Sequence, residues 1–371
     1  VVAEFSTEAL VQNYLAIREQ VPGKSLIPMV KANGYGHGEA WVAKALVRQP
    51  DLYGLGVATL DEGYRVRQAI TMRNRKVPVI VFSGASVWSE EKGHFCAEAG
   101  LTPVISSEED WKAFRQGGWD KKLSYELKFN TGMNRLGIPV NLASQIARNL
   151  QNLPAEQHPA GVSSHMAMGE TPDSPISRKQ LEQFRWLRSE LSGALPQTHF
   201  HLANSSTIWN SKYFQLHDLT DAVRPGLSLY GIPPWEGAPA RGIRPVMTLK
   251  AKVLNVLRLK QGESIGYGAT FTVKEDGFYA AVLGIGYGDG LHRTLSNGGY
   301  AWLEGRAIRI LGVVSMDLSV VEATSQTKVG QWVELYGDHV DPWAQAKQAK
   351  TIPYELLTSV SPRVERSYDG E

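Results

Sequence analysis

The chain has 371 residues, 43% hydrophobic and 20% charged, which is apolar material for more than one core. Its 39 Lys plus Arg against 37 Asp plus Glu leave a net charge of +2, too small a basic excess for nucleic acid or an anionic membrane to be the main partner. Cys96 is the single cysteine, which excludes an intrachain disulfide and a thiolate metal cluster, and no apolar run approaches the ~20 residues of a membrane span. Val1 is no initiator methionine, which leaves removal of a leader or trimming of the chain open; the expected location is cytoplasmic.

From about residue 25 to 230 a short β-branched or apolar run alternates with a longer helical one. Strands are expected at 25–30, 52–57, 77–82, 101–105, 123–129, 161–165, 198–202 and 221–224. Between them lie helical patterns: Trp41, Ala45 and Leu46 share a face, and Leu60, Tyr64 and Arg67 follow in the next. Further helices are expected at 88–98, at 107–115 with Ser107 as N-cap, at 141–150 and at 178–191. Eight strands separated by helices predict an α/β fold of the (β/α)8 TIM-barrel type over 1–234, with a doubly wound open sheet as the alternative.

After Pro234 the pattern changes. Met247, Leu249, Ala251 and Val253 alternate with polar residues, as in a half-buried strand, and the phase slips at Val253–Leu254, where a bulge is expected. More strands are expected at 269–273, 279–285, 300–303, 307–314, 318–322 and 332–335, making 235–371 a mainly antiparallel β domain. The stretch 231–241, with Pro233, Pro234, Gly237 and Pro239, reads as the linker, and the first few residues are candidates to pair with the β domain.

In a barrel the C-terminal ends of the strands converge on one mouth. Here they carry Lys31, Lys128, His165, Ser205, Ser206 and Arg224, an electropositive set. Hydroxyls at Ser205 and Ser206 and the amides after Pro225 sit on the loops where barrels commonly hold a phosphate. A lysine facing a phosphate cradle suits a phosphorylated aldehyde bound as a Schiff base, namely pyridoxal phosphate. Taken singly, each residue has a plainer reading. Lys31 would be a solvated strand end, His165 a structural histidine, and the glycines of 286–290 turn punctuation. Their convergence on one mouth is what points to the cofactor.

The motifs also carry a resemblance. Lys31-Ala32-Asn33-Gly34-Tyr35-Gly36-His37-Gly38 resembles the cofactor-lysine signature of the alanine racemase family. It is followed in order by Lys128-Phe129-Asn130-Thr131-Gly132-Met133-Asn134-Arg135, His201-Leu202-Ala203-Asn204-Ser205 and Val223-Arg224-Pro225-Gly226. Ser264-Ile265-Gly266-Tyr267-Gly268 and Ser315-Met316-Asp317 complete the set. The resemblance implies an isomerase that interconverts L- and D-alanine by two-base proton transfer. Its product would supply D-alanine for peptidoglycan, or it would run in D-alanine catabolism.

By the same resemblance Lys31 would hold pyridoxal 5'-phosphate, with Tyr35, Ser205, Gly226 and Leu227 at its phosphate. His165 would lie near the ring face and Arg224 at the ring nitrogen. Because Arg has donors only, it would keep that nitrogen an unprotonated acceptor and disfavour transamination. Lys31 would be the base for the D-substrate, and Tyr267, brought by the second subunit of a homodimer, the base for the L-substrate. Arg135 and His165 are candidates to activate that tyrosine. Arg135, Met316, Asp317 and Tyr287 would line the substrate, and Lys128 is a possible carbamylated lysine. Pro362 stands where some members carry an entrance tyrosine, which leaves room for a broader-specificity amino-acid racemase.

Three rival readings exist. A non-catalytic pyridoxal phosphate binder lacks the block around Tyr267. A barrel decarboxylase would need a second-face cysteine, and Cys96 lies in a helical stretch. A metal-dependent hydrolase could use His199 and His201 with Lys128 and Asp221, but a buried structural histidine pair is the preferred reading.

Overall fold

The computed structural model describes residues 1–70 and 76–369. The chain forms two compact units: 11–229 with 233–243, and 1–10 with 230–232 and 244–371. The expected linker is thus shared between them, its 233–243 part counting with the first unit.

Strand β1 (Val2–Phe5) belongs to the C-terminal unit. The barrel unit carries β2 (Ser25–Leu26), β3 (Leu55–Val57), β4 (Val79–Val81), β5 (Thr102–Ile105), β6 (Glu126–Asn130), the two-residue β7 (Ile138–Pro139), β8 (Gly161–Ser163), β9 (His199–His201) and β10 (Ala222–Val223). Strands β3, β4, β5, β6, β8 and β9 pair in that order, all parallel, and β10 pairs with β2. Two further seams close the ring. Leu26 N–H donates to Asp51 O (2.8 Å) and Val30 N–H to Gly56 O (2.8 Å); Asp221 N–H donates to Phe200 O (2.7 Å) and Arg224 N–H to Ala203 O (2.8 Å). The sheet is a closed eight-stranded barrel, not an open doubly wound one.

Each regular strand is shorter than its apolar run, and at the two seams residues outside the ladder bond singly to the neighbouring strand. Strands β3, β4, β5 and β8 are buried along their whole length, as expected when helices cover the outside and side chains fill the inside. Ile27, Ile80, Val104 and Ala222 form a buried cluster with Tyr53 and Phe82 packed on it. Helix starts follow their caps: Ser107 accepts from Asp110 N–H at the head of Glu108–Gln116, and Ser174 from Ser177 N–H at the head of Pro175–Ser192.

The C-terminal unit contains β11 (Met247–Leu259), β12 (Ser264–Ile265), β13 (Phe271–Thr272), β14 (Phe278–Leu283), β15 (Tyr300–Leu303), β16 (Arg306–Leu311), β17 (Ser319–Glu322), β18 (Trp332–Tyr336) and β19 (Glu365–Tyr368). The long β11 pairs with β18 through its first half and with β14 through its second, the register shifting between Val253 and Asn255. That bulge lets one strand serve both ends of the run β14-β17-β16-β15-β18 and close it. Beyond β11 the sheet continues through β1, antiparallel to β11 with Val2 opposite Lys250, and β19, parallel to β1.

Candidate active site

The chain leaves β2 through Val30 and turns at once. Ala32, Asn33, Gly34 and Tyr35 all have left-handed φ, at 52°, 53°, 61° and 53°. For the three that are not glycine this costs on the order of 1–2 kcal/mol each, so the turn must be held from outside. Glu62 holds it: one carboxylate oxygen accepts from Ala32 N–H (2.7 Å), the other from Ala58 N–H (2.7 Å) and Thr59 N–H (3.1 Å). Asn33 Oδ1 accepts from Glu39 N–H (3.1 Å), and Gly38 N–H reaches back to Asn33 O (2.8 Å). The effect is to fix Lys31 at the mouth. Burial, then the charges of Arg135 and Arg224, push its amine below the usual lysine range, while Glu62 opposes them.

Lys128 projects from β6 into the same cluster and is pushed down to about 8 by burial, Arg224, Arg135 and Lys31. Arg224 follows β10 and is nearly fully buried. Its Nη1 bonds His201 Nδ1 (2.5 Å) and His201 O (3.0 Å); its Nη2 bonds Ser164 O (2.5 Å), His165 Nδ1 (3.2 Å) and Leu202 O (3.3 Å). Both terminal nitrogens are therefore spent, and Nε–H is the donor left without an acceptor among the described residues. Burial holds His165 well below the ordinary histidine range, reinforced by Arg224, Lys128, Arg135 and Lys31, so its ring is neutral.

Ser205 opens the short helix Ser205–Trp209, whose N-cap Asn204 accepts from Thr207 N–H. Ser205 Oγ accepts from Gly226 N–H (3.0 Å) and Ser228 N–H (3.4 Å), which draws the two loops together. Gly226 has no room for a side chain: a Cβ there would stand 2.5 Å from Tyr35 Oη. Tyr35, Ser205, Gly226 and the buried Leu227 thus converge on one cradle of hydroxyls and amides, which fits a phosphate.

In the C-terminal unit, Tyr267 heads the 3-10 turn Tyr267–Ala269 and is 75% exposed. Met316 and Tyr287 are also exposed and lie on neighbouring turns: Tyr287 N–H donates to Ser315 O (3.0 Å) and Gly288 N–H to Met316 O (2.9 Å). A Cβ on Gly286 would come within 2.3 Å of Met316 O, so this glycine run does more than punctuate; it lets the two turns pack backbone to backbone. Arg363 ties the arrangement, donating to Asp289 (2.8 Å), Asp317 (2.9 Å) and Met316 O (3.4 Å). Asp317 is accordingly occupied by Arg363.

The structure thus gathers Lys31, Lys128, Arg135, His165 and Arg224 by mutual charge, and Tyr35, Ser205 and Gly226 by contact, with Leu227 next to Gly226 in the chain. Tyr287, Met316 and Asp317 come together separately in the C-terminal unit. Sequence reasoning missed Glu62, Glu126, Asp289 and Arg363. Of the rival sites, Cys96 is buried in the helix Glu90–Ala99 and pushed up to about 12 by burial, the opposite of an acid–base thiol. Asp221 is taken by both terminal nitrogens of Arg188 (2.9 and 2.8 Å), and among the described residues no group of three or more His, Cys, Asp or Glu is placed to hold a metal. No helix is long and apolar enough to cross a membrane among those residues.

The chain is similar to known proteins over nearly its whole length. The family model for the alanine racemase N-terminal domain matches residues 5–234, and that for the C-terminal domain residues 246–368. An alanine racemase of Shewanella woodyi is 32% identical over 366 residues, which cover 98% of this chain and 97% of that protein. The crystal structure of the biosynthetic alanine racemase from Pseudomonas aeruginosa matches with a TM-score of 0.87 at 30% identity, covering 99% of each chain. That of the alanine racemase from Bartonella henselae with covalently bound pyridoxal phosphate matches with a TM-score of 0.85 at 29% identity, again over 99% of each. The chain belongs to the alanine racemase family.

Proposed function

We propose that this chain is a pyridoxal 5'-phosphate-dependent racemase that interconverts L- and D-alanine, working as a homodimer in the cytoplasm. The observation that carries the reading is Lys31, a lysine held below its usual range on a strained, over-bonded turn. The residues present fit the cofactor: Lys31 would hold its aldehyde carbon, and Arg224 Nε–H would meet its ring nitrogen. The cradle of Tyr35, Ser205, Gly226 and Leu227 would take its phosphate. When bound, the cofactor supplies an electron sink that acidifies the amino acid's Cα proton.

The chain's own groups do the rest. Lys31 Nζ takes or returns the Cα proton on the face of the D-substrate, and Tyr267 Oη of a second copy does so on the face of the L-substrate. The exposure of Tyr267 leaves its hydroxyl open to such a partner. The neutral ring of His165 and the guanidinium of Arg135 are the groups to assist that phenol. Met316 N–H, which bonds no described residue, is available to the substrate carboxylate. Lys128, with its amine at about 8, keeps a free-base fraction at neutral pH able to add CO2 as a carbamate, releasing one proton. The resulting anion would offset Arg135. Pro362 is exposed and brings no hydroxyl to an entrance, which favours tolerance of side chains larger than methyl.

Incubation of the holoenzyme with L-alanine in D2O tests the reading. Chiral chromatography should find D-alanine, and NMR should find deuterium at Cα, both dependent on pyridoxal phosphate. Neither exchange nor inversion with alanine, serine, lysine or arginine would leave a cofactor carrier in its place.

A further inference from the structure

Inside the barrel, beneath the mouth, lies a carboxylate that these proton transfers do not use. Glu126 sits two residues before Lys128 on β6, so both point to the same face of the strand, Glu126 one step deeper. It is fully buried, as is His201 on β9. Glu126 Oε2 bonds His201 Nε2 (3.1 Å), and His201 Nδ1 bonds Arg224 Nη1 (2.5 Å). The second oxygen, Oε1, is buried without a hydrogen-bond partner. Room for it is made on β8, where a Cβ on Gly161 would come within 2.6 Å of that oxygen.

A buried carboxylate with one unsatisfied oxygen is costly and adds nothing to packing that an apolar side chain would not. Its effect lies in what it imposes on its neighbour. Glu126 accepts only at Nε2 of His201, so the ring keeps its proton there and offers a lone pair at Nδ1. That lone pair is what Arg224 Nη1 donates to. In the other tautomer an N–H would face an N–H, and the guanidinium would have to swing away. Burial pulls Arg224 down to about 10, and Glu126 is the charge that works against that loss.

We infer that Glu126 is a positioning residue which, through His201, holds the Arg224 guanidinium in the one orientation that leaves Nε–H for the cofactor's ring nitrogen. This rests on the pyridoxal phosphate reading given above. A misplaced Arg224 would let the ring nitrogen gain a proton. The Cα proton would then more often be delivered to the cofactor's aldehyde-derived carbon, and water would break the Cα–N bond: the nitrogen would remain as pyridoxamine phosphate and the water oxygen would become the keto oxygen of pyruvate, in place of D-alanine.

Two readouts on the holoenzyme test this. Nitrogen-15 NMR of wild-type His201 should show the proton on Nε2; a proton on Nδ1 overturns the inference without any variant. Glu126→Leu, which fills the space without an acceptor, should lose that tautomer and raise the pyruvate-to-D-alanine ratio about tenfold or more. Glu126→Gln, whose amide oxygen can still accept from Nε2–H, should restore most of both. An unchanged tautomer and ratio in Glu126→Leu overturns the inference. If Arg224→Lys also leaves the ratio unchanged, the placement of Arg224 at the ring nitrogen fails instead.

Discussion

In the barrel mouth the candidate side chains are held by several bonds each, whereas in the C-terminal unit they stand on turns and face solvent. Arg224 has five bonded contacts and Glu62 accepts from three amides, all within one unit. Tyr267, Tyr287 and Met316 are exposed, and the packing that fixes their turns is backbone against backbone. Desolvation shifts a lysine only where the chain can surround it, and the barrel does that alone. A phenol on an exposed turn must borrow its surroundings, which is the physical sense of the proposed second copy. The barrel half should therefore fail through loss of chemistry, and the C-terminal half through loss of one direction or of substrate affinity.

The largest effect should come from Lys31→Ala, which is expected to remove the covalent cofactor and the activity together. Mass spectrometry after borohydride reduction, beside a racemase assay, reads both; retention of both would break the assignment. Tyr267→Phe should come next. It removes one base and leaves the barrel untouched, so L-to-D turnover should fall by roughly 10²–10⁴ while the cofactor absorbance stays. Normal turnover would sink the two-base scheme and erase the contrast between the halves.

How much of this was legible follows the same divide. The barrel strands were visible as apolar runs with polar ends, and the register slip in β11 showed as a broken alternation at Val253. The left-handed turn at Ala32 and Asn33 was not, since alanine carries no preference for positive φ, and the Glu62 carboxylate that accepts from Ala32 N–H to hold it lies 30 residues on. Glu126 was within reach, because Glu126-Leu127-Lys128 puts both charges on one strand face. Arg363 was out of reach: its partners Asp317 and Asp289 lie 46 and 74 residues away. The helices Pro342–Gln348 and Pro353–Thr358 carry a sequence signal too, proline in each first turn and Asp341 capping the former, but both are short.

A smaller effect sharpens the barrel side. Lys128 ionises at about 8 when folded against 10.5 when free, and it is 8% exposed. Below pH 8 both states carry the proton and folding bears the whole cost of burying the charge. Between pH 8 and 10.5 the unfolded chain binds more protons than the folded one, so stability rises with pH. In CO2-free buffer Lys128→Met should therefore stabilise the apoprotein at pH 7 by on the order of 2–3 kcal/mol and flatten its profile above pH 8. Denaturant titrations across that window measure it; parallel profiles would mean that Lys128 is not desolvated in solution.

The smallest effect should fall on Arg363. Its side chain is 46% exposed, and exposed ion pairs are weak and screened by salt. Its position matters more than its strength: it joins Asp289 on one turn to Asp317 and Met316 O on the other, and so steadies the Met316 amide proposed to meet the substrate carboxylate. Gly288 N–H still donates to Met316 O without it, so the turns should loosen and not separate. Arg363→Ala is thus expected to raise KM for alanine by roughly two- to fivefold, with kcat and cofactor absorbance unchanged. High salt should mimic the variant in the wild type. A fall in kcat at constant KM would show instead that this turn acts in the proton transfer itself, and the two halves would differ less than their construction implies.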